Sequence, residues 1–513
     1  MEQINPIVKT DYPDPDVIRV EDTYYMISTT MHFYPGGVIL RSYDLIHWEI
    51  AGYVYDTLDS TPEEKLEGER NSYGHGMWAA SLRFHKGRFY ACFGTIETDR
   101  TYIYSAEKVE GPWERKVLGK YYHDSSLFFD EDGRAFLIYG NTEIKLIELE
   151  QDLSGIRQDG FSRVLVTDTD NVGLGFEGSH FYRIGGKYCL FMIHWPKYGA
   201  CRRTQVCFVS DSLEGEFVGG TVLDDDMGYF NQGVAQGGVV EAVDGRWYAV
   251  LFRDNGAVGR IPVLVPITWK NGFPVYGENG RVPEIFTTAD SRPGYAYEPL
   301  FASDDFRYVP DAGGNYRLKK QWQWNHEPNP ELWSICPEGG LQIRTGKICT
   351  NLTQAVNTLT QRMMWPASAA EVVVDASDIR EGDFAGLCAL QGCYGMAGIT
   401  RSGGRYYLVM MAREPQKGEE PSDYLPNYIS EKVEISEPVV RLKACANFED
   451  MQDAVEFFYE EEGRWKSLGK KHRLYFKLDH FTGCRYGLFL YATRETGGSV
   501  RFSDFRYHCE SNS

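Results

Sequence analysis

Three carboxylates, Asp14, Asp124 and Glu177, stand at equivalent points of a repeating pattern, and carboxyl groups gathered around one mouth can divide acid–base work between them. One that keeps its proton acts as an acid, one that stays ionised activates a water, and a third raises the acid's pKa by like-charge repulsion. The pattern is a hairpin signature that occurs five times in the first three hundred residues: a short β-rich run, a turn, and a second run opening on Tyr24-Tyr25, Phe89-Tyr90, Ala135-Phe136, Tyr188-Cys189 or Trp247-Tyr248. The intervals, roughly 45–65 residues, each leave room for a four-stranded unit. About twelve positions before each pair lie Asp14, Trp78, Asp124, Glu177 and Gln236, and four positions beyond those come the apolar Ile18, Leu82, Phe128, Phe181 and Val240.

Five such repeats predict an all-β five-bladed β-propeller, with an ordinary β-sandwich as the alternative. The strand that opens a propeller blade lines the central channel, so the five aligned residues form a ring at one end of the axis. Asp14 and Glu177 fall on non-adjacent blades and face one another, with Asp124 between. A carboxyl group on each face of a sugar is what hydrolysis of a glycosidic bond requires, about 6.5–9.5 Å apart when a water must fit between them. Each residue also has a plainer reading: Asp14 between Pro13 and Pro15 as a turn former, Asp124 as a cap to a local turn, Glu177 as a buried ion-pair partner. A non-catalytic sugar-binding propeller is a further alternative. Gly173-Leu174-Gly175-Phe176-Glu177-Gly178 fits the dinucleotide-binding glycine pattern, but the residues after it continue as a strand, so these glycines are read as a loop that brings backbone close to a ligand.

The chain's 513 residues exceed what one core supports, so two domains are expected. A formal net charge of -20 argues against nucleic acid and anionic membranes as partners. Met1 to Pro6 carry neither a basic nor an apolar stretch, no long apolar run occurs later, and the odd count of 11 cysteines shows no metal-type spacing. A cytoplasmic protein with reduced thiols is the expectation.

The residues around the ring resemble glycoside hydrolase family 43, the β-xylosidases and α-L-arabinofuranosidases. Tyr12-Pro13-Asp14-Pro15 looks like that family's first blade, Met77-Trp78-Ala79-Ala80 its second-blade pocket element with Ala80 in place of Pro, and His123-Asp124-Ser125-Ser126 its third-blade segment. Glu177-Gly178-Ser179-His180 resembles its acid-bearing motif, and Gly259-Arg260-Ile261-Pro262 its fifth-blade element. The resemblance implies Asp14 as general base, Glu177 as general acid and Asp124 as the group that tunes and aims the acid. It implies substrate contacts from Trp78, Ala79 and Arg260, and an aromatic wall from the loop holding His32 and Phe33. Trp195 is a second candidate wall, with a core role as the alternative. Many relatives hold calcium at the channel through a histidine where this chain has Gln236, which puts a metal there in doubt; no cofactor is otherwise required.

The repeat breaks between Asp290 and Asp311, so residues 1–300 are assigned to the propeller and 301–513 to a second domain. Trp322-Gln323-Trp324-Asn325 and Asn357-Thr358-Leu359-Thr360 resemble the concanavalin-like β-sandwich of the longer xylosidases. In those enzymes a sandwich loop narrows the site to a pocket, and Phe481 is the candidate for that contact; a role in folding or homo-oligomer assembly is the alternative. The expected activity is inverting exo-hydrolysis that releases xylose from β-1,4-xylo-oligosaccharides, with α-L-arabinofuranosidase activity beside or instead of it.

Overall fold

The computed structural model describes residues 4–170, 173–414 and 427–509. The stretch Pro415 to Pro421, which reads in the sequence as a solvated loop, lies outside the described residues. Regular structure is almost wholly β. Five four-stranded antiparallel sheets succeed one another along the chain, each in sequential strand order, spanning Asp16–Tyr55, Met77–Leu118, Ser126–Thr167, Leu174–Leu223 and Val239–Tyr276. The short Phe33–Tyr34 strand inside the first span belongs to another sheet. The aromatic pairs seen in the sequence lie on the second strand of every blade.

Blade contacts distinguish a propeller from an ordinary sandwich. Apolar clusters fill each of the five seams, including one between the first and last blades, where Val17, Tyr24 and Met26 meet Val240, Tyr248 and Leu264. The second strands are covered by neighbours on both faces, so they read as near-continuous apolar runs such as Lys187–Trp195 (KYCLFMIHW). Outer strands such as Glu114–Leu118 are exposed and charged. The ring is closed by the N-terminal segment, which hydrogen-bonds along the fifth blade from Asn5 to Tyr12.

Near the axis Asp16 links three blades, its own, the second and the fourth. Its carboxylate accepts from Leu82 N at 2.7 Å and Arg83 Nη1 at 2.5 Å, and lies 3.0 Å from both His180 Nδ1 and Tyr182 Oη. Burial alone would push this carboxyl up, but the Arg83 and His180 charges outweigh it and hold it well below the usual range.

After Tyr276 the chain runs along blade 1, where Tyr295 donates to Glu49 and Glu298 N–H bonds the same carboxylate. At Asp304 it joins Phe505 of the second domain. That domain is a concanavalin-like sandwich of an eight-stranded and a seven-stranded sheet. The outermost strand of the larger sheet is lent by the propeller: Tyr34 and Phe33 pair with Trp324 and Asn325.

Candidate active site

Asp14, Asp124 and Gln236 all have positive φ, at 52°, 45° and 60°, as does Gly178 next to Glu177, at 63°. This left-handed turn recurs where four of the five blades enter the channel, and costs a non-glycine residue roughly 1–2 kcal/mol. In blade 2 the equivalent device is a bulge, with register lost between Met77 and Ala80, so that Trp78 and Ala79 sit in it half-buried. Glu177 is flanked by two register shifts within its strand, Leu174–Ile184. Of the glycines read as a ligand loop, Gly175 and Gly178 therefore belong to a strand, with Gly173 just ahead of it, and what approaches them is protein. A Cβ on Gly175 would fall 2.3 Å from Thr142 Oγ1, and one on Gly178 2.4 Å from Gln236 Cδ.

The three carboxylates share one mouth in two clusters. Asp14 is buried beside Arg260, whose Nη1 donates to Oδ1 at 2.9 Å, while Thr29 Oγ1 donates to Oδ2 at 2.7 Å. The buried guanidinium pairs with the Asp14 carboxylate, and the two bonds together fix its plane. Asp124 Oδ2 accepts the Gly178 N–H at 3.0 Å, and its buried Oδ1 has no hydrogen-bond partner among the described residues. Burial pushes the Asp124 carboxyl up to about 7, opposed by His123 and reinforced by the Glu177 and Asp14 charges. Glu177 Oε2 lies 2.9 Å from His123 Nε2 and accepts from Asn141 Nδ2 at 2.6 Å. The Asp124 charge raises His123 to about 9 against burial, with Glu177 adding to the effect.

Arg203, which the sequence pattern does not single out, completes the polar wall. It pairs with Asp254, the cross-strand partner of Arg260, and lies 5.3 Å from the Trp195 ring and 5.7 Å from that of Phe252. Burial lowers its pKa to about 10, as does Arg260, while Asp14 and Glu177 act the other way. Trp195 is exposed at the end of its strand, with Arg203 against its ring.

Phe481 reaches this mouth from the sandwich. Its ring lies 4.2 Å from the Arg260 guanidinium carbon and 5.3 Å from Trp78, and its carbonyl accepts from Arg260 Nη2 at 3.4 Å. Asp11 secures the loop, accepting the Arg260 and Gly483 N–H groups on its two oxygens at 2.8 Å each.

His32 and Phe33 are not at the mouth. At 0% and 1% exposure they are sealed into the junction between the domains, because the strand that starts at Phe33, directly after His32, is claimed by the sandwich sheet. The Arg485 guanidinium carbon lies 3.5 Å from the Phe33 ring, and His32 packs among Phe33, Tyr73, His326 and His480. Gln236 stands where the sequence left calcium in doubt. Its N–H bonds Gln205 Oε1 and its side chain packs on Gly178, whereas calcium takes six to eight oxygens. Among the described residues the one group of three candidate ligands is His123, Asp124 and Glu177.

Several signals in the sequence could have exposed the missed residues. His123 immediately precedes Asp124, and Asp16 lies beyond Asp14 at the two-residue spacing of a strand face. Arg203 and Asn141 lie off the repeat and carry no such mark.

The family model described as "Glycosyl hydrolases family 43" matches residues 4–274, and that of the β-xylosidase C-terminal concanavalin A-like domain matches 314–508. A β-xylosidase of Formosa agariphila is 26% identical over 98% of this chain and 90% of its own length. A non-reducing end α-L-arabinofuranosidase of Bacteroides ovatus is 27% identical over 66% of this chain and 63% of its own. Among solved structures, a bifunctional family 43 and CE protein of Bacteroides eggerthii superposes with a TM-score of 0.90 at 41% identity; it covers all of this chain, which spans 64% of that longer one. Propeller, sandwich and both family matches agree over nearly the whole length, and the chain belongs to glycosyl hydrolase family 43.

Proposed function

We propose that this glycoside hydrolase removes single xylose units from the non-reducing ends of β-1,4-xylo-oligosaccharides by one direct displacement with inversion. Glu177 protonates the departing oxygen, Asp14 takes a proton from the attacking water, and Asp124 keeps Glu177 protonated and aimed through the Gly178 N–H. The observation that carries this reading is the contrast between the carboxylates. Asp14 is paired with the buried Arg260 guanidinium, whereas Asp124, buried and pushed up to about 7, lies in one cluster with Glu177 and His123. Phe481 on Arg260 and Trp78 supports a closed pocket and so exo action, and Trp78, Ala79, Arg260 and Trp195 are the proposed sugar contacts. The chemistry asks for no metal. The free state of all eleven cysteines fits a reducing compartment, and no helix among the described residues is long and apolar enough to cross a membrane.

A second reading, primarily α-L-arabinofuranosidase activity, is favoured by one relative named a non-reducing end α-L-arabinofuranosidase and another named a xylosidase/arabinosidase. Proton NMR of the first minutes of reaction with xylobiose and with an aryl α-L-arabinofuranoside, beside an Asp14→Ala control, tests both. Early α-xylose absent from the control supports the first reading. Early β-xylose overturns inversion, and turnover of the arabinofuranoside alone moves the assignment to the second. No product from either sugar moves the assignment to other substrates or to a sugar-binding protein.

A further inference from the structure

We propose that His123 is a proton-relay partner of Glu177, recharging the far oxygen of the acid while its near oxygen gives up the catalytic proton. The inference rests on Glu177 being the acid.

Two donors converge on one oxygen of Glu177: His123 Nε2 at 2.9 Å and Asn141 Nδ2 at 2.6 Å both meet Oε2. The proton that leaves with the substrate must therefore sit on Oε1. The histidine is held in register for transfer, its Nδ1 lying 2.8 Å from Tyr121 Oη and its ring packed near Trp78 and Tyr121. The ionisable groups that bear on it are Asp124, with Oδ2 3.6 Å from Nε2, Glu177 and Tyr121; beyond them the same mouth holds Asp14, Arg260 and Arg203. The two acids favour an imidazolium at neutral pH.

Without a relay, protonating the leaving oxygen would create an anionic Glu177 beside Asp124, with their oxygens within 4.8 Å of each other. With it, the Oε1–H bond breaks as the glycosidic oxygen gains that proton, and the Nε2–H bond breaks as Oε2 gains the histidine's. Glu177 remains neutral, and His123 becomes neutral with Nδ1–H donating to Tyr121. After the product leaves, solvent protonates Oε1 as the Oε2–H proton returns to Nε2 of the quarter-exposed ring, which restores the neutral acid and the imidazolium for the next turnover. No oxidant or co-reactant is involved.

The test is His123→Gln, whose amide still donates to Oε2 but has no proton to transfer, assayed on aryl xylosides or arabinofuranosides, whichever the enzyme turns over. On a 4-methoxyphenyl glycoside, whose leaving group needs protonation, kcat is expected to fall about 10–100-fold, against about twofold on a 2,4-dinitrophenyl glycoside. The proton inventory in mixed H2O and D2O should be curved for the native enzyme and linear for the variant. Equal losses on both substrates, or native rates with an unchanged inventory, would overturn the relay and leave His123 a positioning residue. Glu177→Gln is run in parallel: if it keeps native activity on the methoxyphenyl glycoside, the acid assignment itself fails, and the two failures are told apart.

Discussion

Replacing Asp124 by Asn should make the protein more stable and nearly inactive, with the size of the stability gain set by pH. Raising a carboxyl from 3.8 to about 7 costs about 1.4 kcal/mol per tenfold change, on the order of 4 kcal/mol in all. Because the folded-state pKa is the higher one, the native state holds the proton more tightly. The cost is absent below pH 3.8, grows as pH rises, and is complete above about 7. Asn keeps the acceptor for Gly178 N–H and places its amide where Oδ1 has no partner, so up to about two kcal/mol of the gain is given back. For a chain of this length the unfolding entropy is about 1 kcal/mol per degree, so Tm should rise by roughly 2–4 °C at pH 8 and by about 1 °C or less at pH 4.5. Scanning calorimetry at the two pH values, with kcat measured at pH 7, is the assay, and kcat should fall about 100-fold or more. A gain of equal size at both pH values, or none at pH 8, would refute the claim that Asp124 is held in an unfavourable charge state for the sake of the acid.

Gly178→Ala should abolish activity and cost several kcal/mol, because its backbone is left-handed and the new Cβ would meet Gln236 at 2.4 Å; chemical denaturation with a parallel rate assay checks it. Phe481→Ala should raise KM about tenfold with kcat within threefold, since it removes a wall and no reacting group; an equal fall in kcat would assign it to transition-state contact. Exhaustive chelation should leave kcat within about twofold, as expected where the residue at the channel is Gln236, whose N–H is taken by Gln205, and a loss restored by calcium would contradict that reading.

The sequence carried the repeat well because each blade must supply one strand covered on both faces, which forces aromatic or apolar pairs such as Trp247-Tyr248 into register. Alignment of that register placed Asp14, Asp124 and Glu177 around one mouth without any reference to side-chain contacts. It missed what comes from between the repeats. Asn141 and Arg203 lie in the connections just ahead of the third strands of blades 3 and 4, where length differs from blade to blade, so no periodicity marks them. The error at His32 and Phe33 has a different source. An aromatic loop beside a sugar site looks like a wall until a partner strand covers it, and that partner, Gln323–Asn325, lies in the other domain.

That borrowed strand also bears on how the chain reaches its shape during synthesis. Phe33 and Tyr34 leave the ribosome almost three hundred residues ahead of Trp324, a wait of roughly 15–60 s at about 5–20 residues per second. Through that interval a finished propeller would present an aromatic edge with unpaired backbone groups, the kind of surface on which nascent chains stick to one another. The strand that completes the sandwich is thus also the cover for this aromatic edge of the propeller, and premature termination before residue 323 would yield a product for chaperones and proteases.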